Sequence, residues 1–414
     1  MVTEVITGNT ITPNPRTLPL YKRLLYGLIS VVLGIAVILA MCEILLRVVP
    51  LGRFKSSPFR QYDPQLGLSL VPNLKLVHNR GCFQGLIETN QWGFRDRERT
   101  LEKPPGDFRV AVIGDSMVEA VHVRPEQVIN IQMEQILRQK GYRNVEVMAF
   151  GIGGIGTTQE WILYQQRIRQ FHPDVVLLMF SENDIMNNSF TLQNAYYGVH
   201  TWYCPYYDLA SDGSLTFRPV QPMFLRPVRM WLENHSLLMY YGERLWFDVD
   251  YGWGTWRGIP LVFGAFSDDP PDPDWQQAWQ ITDKVLARMR DSVNADGAKF
   301  MVVVWATQFD LYPNTAERAK TEFGSVPPGF NPPKYNERLR AIVQRENIPA
   351  AFLAPYMQNY RDTHNLQPPY FSLPCDPHYS ALGHRVSAEG IVDILERNQW
   401  LPSVGQSAAS VGAE

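Results

Sequence analysis

Five short apolar runs, at 109–113, 145–150, 175–180, 300–305 and 350–353, alternate with longer runs at 125–139, 158–171, 275–295, 335–345 and 381–396 whose apolar residues recur at helical spacing. Strand-length runs that are apolar throughout, rather than at every second position, suit strands covered on both faces. Strand and helix in alternation imply crossover connections, so the expected fold is α/β: a parallel sheet with helices on both sides, three layers in all. Pro125 suits a first helical turn and Gly297 a helix stop.

At 414 residues the chain exceeds what one core usually needs, and its expected organisation is one domain at 106–400 with appendages. Residues 1–23 and 401–414 read as tails. The stretch 52–105 is rich in Pro, Gly, Asn and Arg and has no sustained periodicity, which predicts a lead-in wrapped over the domain. Residues 187–274 break the alternation and carry Trp202, Trp231, Trp246, Trp253 and Trp256. This insertion either packs its aromatics on the core or offers them to sugar rings or a bilayer surface.

Residues 24–46 hold no charge before Glu43, enough apolar length to cross about 30 Å of hydrocarbon as a single transmembrane helix. A cleaved signal would have a shorter core and a small-residue exit. Arg16, Lys22 and Arg23 on one side face Arg47, Arg53, Lys55 and Arg60 on the other, so flanking charge does not set the orientation. The expectation is an inner or plasma membrane protein with its soluble domain periplasmic or otherwise extracytoplasmic.

A formal charge of −3, with 19% charged residues, gives no basic face of the kind that displaces phosphate counterions, so nucleic acid is not an expected partner. Cys42, Cys82, Cys204 and Cys375 include no Cys-x-x-Cys pair and no histidine at zinc-ligand spacing. Cys42 lies in the apolar run, and the other three permit one disulfide whose partners sequence does not give.

The run 109–113 leads into Gly114-Asp115-Ser116, placing a hydroxyl just past the C-terminal end of a strand, the edge where open α/β sheets bind ligands. Serine there becomes a nucleophile if a base takes its proton, and Gly114 lets the turn form without a Cβ clash. Asp376-Pro377-His378 supplies an acid and an imidazole two residues apart, which project to one side of an extended segment. Asp376 would orient His378, and His378 would take the Ser116 proton. Acyl transfer also needs oxyanion donors. The backbone of Gly151-Ile152-Gly153-Gly154-Ile155-Gly156 and the Asn183 amide in Ser181-Glu182-Asn183-Asp184 follow the next two strands on the same edge.

These four blocks, in this order, resemble the SGNH (GDSL-type) family of serine hydrolases and acyltransferases. The resemblance covers most of 105–400 and implies a five-stranded parallel sheet in flavodoxin-like order. It further implies Ser116 as nucleophile, the Ser116 N–H, Gly154 and Asn183 as the oxyanion hole, and Asp376 with His378 completing the triad. No cofactor or metal is implied. Ser181 stands where the family has glycine, and one residue rather than two separates acid and base. That shorter block is similar to the branch holding exported polysaccharide O-acetyltransferases such as the alginate-modifying proteins. The segment Asn90-Gln91-Trp92-Gly93-Phe94-Arg95 resembles one in membrane-anchored bacterial members, where a packing role is expected. The implied activity is hydrolysis of acyl, above all acetyl, esters, the substrate being a carbohydrate ester in one version. The alternatives are O-acetyl transfer or deacetylation of a polysaccharide, and a silent binding protein that keeps the fold.

Gly151-x-Gly153-x-x-Gly156 also imitates a dinucleotide fingerprint, but Ser181, not an acid, stands at the end of the next strand. His384 reads as part of a helix start, and His122 and His172 as loop residues with no evident partner.

Overall fold

The computed structural model describes residues 19–49, 59–79, 83–197, 204–220, 225–242, 245, 263–269, 273–374 and 376–404. Helix α1 (Leu20–Val48) is about 43 Å long at 1.5 Å per residue and buries none of its residues, so it is long and apolar enough to cross a membrane. The predicted span falls inside it. Of the predicted tails at 1–23 and 401–414, residues 20–23 belong to α1, while 1–18 and 405–414 lie outside the described residues, as do Trp202, Trp246, Trp253, Trp256, Cys82 and Cys375.

The lead-in is more ordered than its sequence predicts. Strands β1 (Arg60–Asp63) and β2 (Gly67–Leu70) form one antiparallel hairpin, and β3 (Lys75–Asn79) and β4 (Gln84–Glu88) form another. Strands this short carry too few residues to show a period of two. The Asp63 carboxylate closes the first turn by accepting from the Gln65 and Leu66 amides. Farther on, Asn90 Oδ1 accepts from the Trp92 and Phe94 amides, and this turn drives Phe94 into the core against Phe150. Arg99 is buried with Asp96 (2.9 Å) and Glu134 (3.2 Å), and buried Arg109 donates to the Leu101, Glu102 and Phe171 carbonyls. Such buried cations are tolerable because every one has close acceptors.

The central sheet is built from β5 (Phe108–Gly114), β6 (Val145–Gly151) and β7 (Val175–Phe180), then, after a small hairpin of β8 (Tyr206–Leu209) and β9 (Leu215–Arg218), from β10 (Lys299–Val304) and β11 (Ala350–Phe352). All neighbours are parallel and the spatial order is β11-β10-β7-β5-β6. This is the flavodoxin-like order, with its switch point at β5. Alternate residues face opposite layers: Ile113, Phe150, Leu178 and Val302 one way, Val112, Val147, Leu177 and Val303 the other, all fully or almost fully buried. Each such side chain contributes about 1.5–3 kcal/mol relative to exposure.

The helices number in chain order α2 (Ser116–Glu119), α3 (Ile129–Gln139), α4 (Thr157–Gln166), α5 (Asn183–Asn187), α6 (Phe190–Tyr197), α7 (Arg226–His235), α8 (Pro273–Ala295), α9 (Gln308–Leu311), α10 (Thr315–Phe323), α11 (Pro333–Arg345), α12 (Ala354–Thr363) and α13 (Ala381–Arg397). One layer holds α4, α8 and α11, the other α3, α12 and α13. Two predicted helices are shorter than expected. The run at 125–139 opens as a separate turn, Pro125–Gln127, and the run at 158–171 ends at Gln166, then tightens into a turn stopped by His172 at φ 50°. Of the insertion, Tyr206 is buried and Tyr207 stacks on Trp161, whereas Trp231 stays exposed.

Candidate active site

Three loops leave the C-terminal ends of β5, β6 and β7, and a fourth segment is brought to them by the last strands. The β5 loop turns sharply. The Asp115 carboxylate caps α2 by accepting from the Met117 amide at 2.9 Å, so Ser116 becomes the first residue of that helix, where no intrahelical partner exists for its N–H. Gly114 is needed for space: a Cβ there would lie 2.5 Å from a Val118 methyl.

Asp376 and His378 sit on β13 (Asp376–Tyr379), paired antiparallel with β12 (Ser372–Leu373). The extended backbone turns both side chains the same way, as their spacing predicts. Tyr379 donates to the Ala306 carbonyl at 2.7 Å, and Ser380 caps α13 while donating to Phe371, which fixes the strand from both sides. The result is a continuous series: His378 Nε2 lies 2.8 Å from Ser116 Oγ, and His378 Nδ1 meets Asp376 Oδ1, which also accepts from the His378 amide at 3.0 Å. Burial works against the Asp376 charge, but the His378 ring and amide outweigh it and lower the carboxyl to about 2.

The β6 loop carries the glycines. A Cβ on Gly151 would meet the Glu119 nitrogen at 2.1 Å, so this glycine serves close packing of the loop on α2 rather than a pyrophosphate. Gly154 adopts φ +85°, a region that favours glycine, with nothing within 4 Å of its Cβ position. The peptide before it is held at both ends: the Gly153 amide donates to Glu119 Oε2, and the Gly153 carbonyl accepts from Arg60 Nη1 at 2.9 Å, while Arg60 Nη2 pairs with Glu119 at 3.2 Å. Among the described residues the N–H groups of Ser116 and Gly154 meet no acceptor.

Asn183 heads α5 after β7, and its Nδ2 donates to Asp115 Oδ2 at 2.9 Å, using one of its two N–H bonds. Ser181 keeps an ordinary backbone, its amide donating to Asp184 Oδ2 at 2.7 Å. Burial, reinforced by neighbouring carboxylates, pushes the carboxyls of Asp184 and Glu160, behind the site, well above the usual range. Asn187 and Asn188 brace the β6 loop, through the Ile155 carbonyl and the Thr158 amide.

His122 is one of the residues whose place at the site the sequence did not reveal. Its ring stacks on His378 with centroids 3.8 Å apart and planes 21° apart, and Phe83 of the lead-in lies 5.0 Å from its centroid. Burial and the adjacent His378 lower its imidazole to about 2, so it is neutral. No local signal marks it, because its partners come from distant segments. The donor atoms of His122, Asp376 and His378 lie within 4.8 Å of one another. Stacked rings, however, aim their in-plane lone pairs side by side rather than at a common point, and a metal there would displace Ser116 or Asp376 from His378. His384 is buried at the start of α13, where burial keeps it neutral. Arg60, Glu119 and Arg95 were also not foreseen. Buried Arg95 donates to the Ala120 carbonyl at 2.7 Å, the Leu86 carbonyl at 2.9 Å and the Val123 carbonyl, tying the lead-in to the chain just after α2.

No protein-family model matches the chain, and no curated protein matches it. Among solved structures, an acetyl xylan esterase aligns at 14% identity over 70% of this chain and 100% of its own, with a TM-score of 0.37. A lipase/acylhydrolase from Enterococcus faecalis aligns at 12% over 72% and 100%, with a TM-score of 0.36. A GDSL-like lipase from Bacteroides thetaiotaomicron aligns at 11% over 70% and 88%, with a TM-score of 0.32. The chemistry of the site rests on this chain's own geometry.

Proposed function

We propose that the chain is a membrane-anchored serine esterase of the SGNH type, acting on acyl esters of which acetyl is the leading candidate. The observation that carries this is the hydrogen-bonded series from Ser116 Oγ through His378 to Asp376, assembled at the ligand-binding edge of the sheet from segments 262 residues apart. A surface turn with an incidental histidine has no reason to place three side chains in that relation.

In this mechanism Ser116 Oγ attacks the ester carbonyl carbon while His378 Nε2 accepts the hydroxyl proton. The carbonyl oxygen becomes an oxyanion received by the Ser116 and Gly154 N–H groups and the second N–H of Asn183. The C–O bond to the alcohol then breaks, His378 returns its proton to the departing oxygen, and an acyl-Ser116 ester remains. Water enters by the same steps in reverse order and releases the acid. Asp376 stabilises the imidazolium throughout and keeps its own charge.

A second reading is transfer of the acyl group to a sugar hydroxyl. It is favoured by the single residue between Asp376 and His378, the form similar to polysaccharide O-acetyltransferases. Both readings place α1 in an inner or plasma membrane and the domain on its outer side. Acetate release from acetylated sugars and simple esters, with Ser116→Ala as control, tests the esterase. Acetate from the wild type alone supports it, and transfer to added sugar in preference to water selects the second reading. A C-terminal reporter active only outside the cytoplasm tests the placement, and a silent but well-expressed fusion reverses it.

A further inference from the structure

We propose that α7, with the groove it forms against the end of α1, binds the glycerophospholipid of the bilayer that α1 crosses, so that the domain lies against the membrane surface. This rests on the reading of α1 as an anchor and adds a second, separate membrane contact.

The two helices are fastened where the span ends. Glu43, the one acid in the apolar run, accepts from Ser236 Oγ at 2.8 Å and from the Leu237 and Leu238 amides at 3.1 and 2.9 Å. Arg47, one turn on, donates to Glu43 at 2.7 Å and to the His235 carbonyl at 2.8 Å. An ionised side chain at the edge of hydrocarbon is costly unless partnered, and here four donors converge on it. The partners lie at the end of α7 and in the helical residues 237–242 that follow, so both segments are held at the level where α1 leaves the bilayer.

The surface of α7 is of the kind that lies in a lipid interface. Leu225, Val228, Trp231 and Leu232 recur at helical spacing along one stripe, and each is between 38% and 64% exposed. A contiguous apolar stripe of this kind, with tryptophan in it and arginine beside it, marks a contact surface, and tryptophan with cationic neighbours suits the headgroup level. Between α7 and α1 runs a groove of about 860 Å³ with apolar walls from Leu39, Leu232, Leu238 and Met239, and with Arg47 and Arg229 in the same lining. Apolar walls suit an acyl chain and guanidinium groups suit a phosphate. Because Leu39 belongs to α1, one wall of the groove is part of the span itself. The occupant must therefore be continuous with hydrocarbon, which selects a bilayer lipid over a soluble anion or a peptide. Helix α7 also packs against β1, the strand whose Arg60 holds Gly153, so the docked surface adjoins the strand that braces the site.

The test uses the full chain in nanodiscs of phosphatidylethanolamine and phosphatidylglycerol, with a benzophenone-bearing residue placed in turn at Val228, at Leu33 in the span, and at Val404, an exposed apolar position elsewhere. After irradiation, lipid adducts at Val228 should reach about half the yield at Leu33 or more, with Val404 at background. Lipid adducts at Leu33 with background at Val228 would overturn the docking and leave the anchor standing. Background at both would overturn the docking together with the anchor. Adducts from Val228 to a second copy of the chain would overturn it by showing a self-association face instead.

Discussion

The edge of the sheet around Ser116 and the outer face of the insertion around Trp231 are built on opposite plans. At the edge, the groups next to Ser116 are tied in place: Asp115 to Met117 and Asn183, Gly153 to Glu119 and Arg60, His378 to Asp376. On α7, large apolar side chains stand open. The difference follows from the work each surface is proposed to do. Bond making needs donors and bases fixed before substrate arrives, because any rearrangement adds to the barrier. Adsorption to a fluid bilayer needs apolar area and cationic heads, with no fixed geometry. Damage to the first region should therefore cost rate, and damage to the second should cost attachment.

The largest effect should come from Asp376→Asn, which keeps the shape of the pair but loses the charge that stabilises the imidazolium. The expected fall in kcat is about 10⁴-fold with an unchanged fold, measured by ester turnover and circular dichroism. A fall of less than about tenfold would remove Asp376 from the chemistry and weaken the contrast between the regions.

Next is Arg60→Met, which leaves Glu119 and the Gly153 peptide without their brace. Since Arg60 touches no substrate in this scheme, kcat should drop about tenfold with KM little changed, and Arg60→Lys should restore part of it. An effect on KM alone would assign Arg60 to substrate binding.

His122→Phe keeps a ring against His378 but removes a titrating group. His122 has a folded value of about 2 against about 6.5 when unfolded, so between these limits the unfolded chain holds a proton that the folded chain does not. Stability accordingly rises with pH across that window and is lost as pH falls. The variant should flatten the slope by up to about 1.4 kcal/mol per pH unit in urea unfolding at a series of pH values. An unchanged slope would mean that His122 is not held neutral.

The smallest effect on chemistry should come from Trp231→Ser. Turnover of a water-soluble ester should change by less than about twofold, while lipid crosslinking from Val228 falls by about half or more. A large loss of turnover would tie α7 to the site and erase the difference between the two regions.

Much of the first region was legible in the sequence. Four of the five strands are largely β-branched or aromatic runs, the short β11 being the exception, and Ser116, Asp376 and His378 stand at positions where local geometry alone restricts where a side chain points. The Asn183 amide was singled out by its place after the third strand, and Gly154 by resemblance alone. The devices that hold these residues were not, because Arg60, Glu119, Arg95 and His122 act through partners from distant segments, and nothing in their immediate neighbours differs from an ordinary turn. The lead-in hairpins were missed since four or five residues cannot display an alternation. The α7 surface was only half legible: tryptophans in an insertion suit a packed layer first and an exposed platform second, and at Trp231 the side chain is exposed.

The proposed esterase depends above all on Ser116 being the nucleophile activated by His378. A fluorophosphonate probe followed by peptide mass spectrometry tests it directly. One adduct is expected, on the peptide containing Ser116, absent in Ser116→Ala and slowed by orders of magnitude in His378→Ala. A folded wild-type chain that takes no label, or one labelled at another serine with Ser116→Ala unaffected, would contradict it.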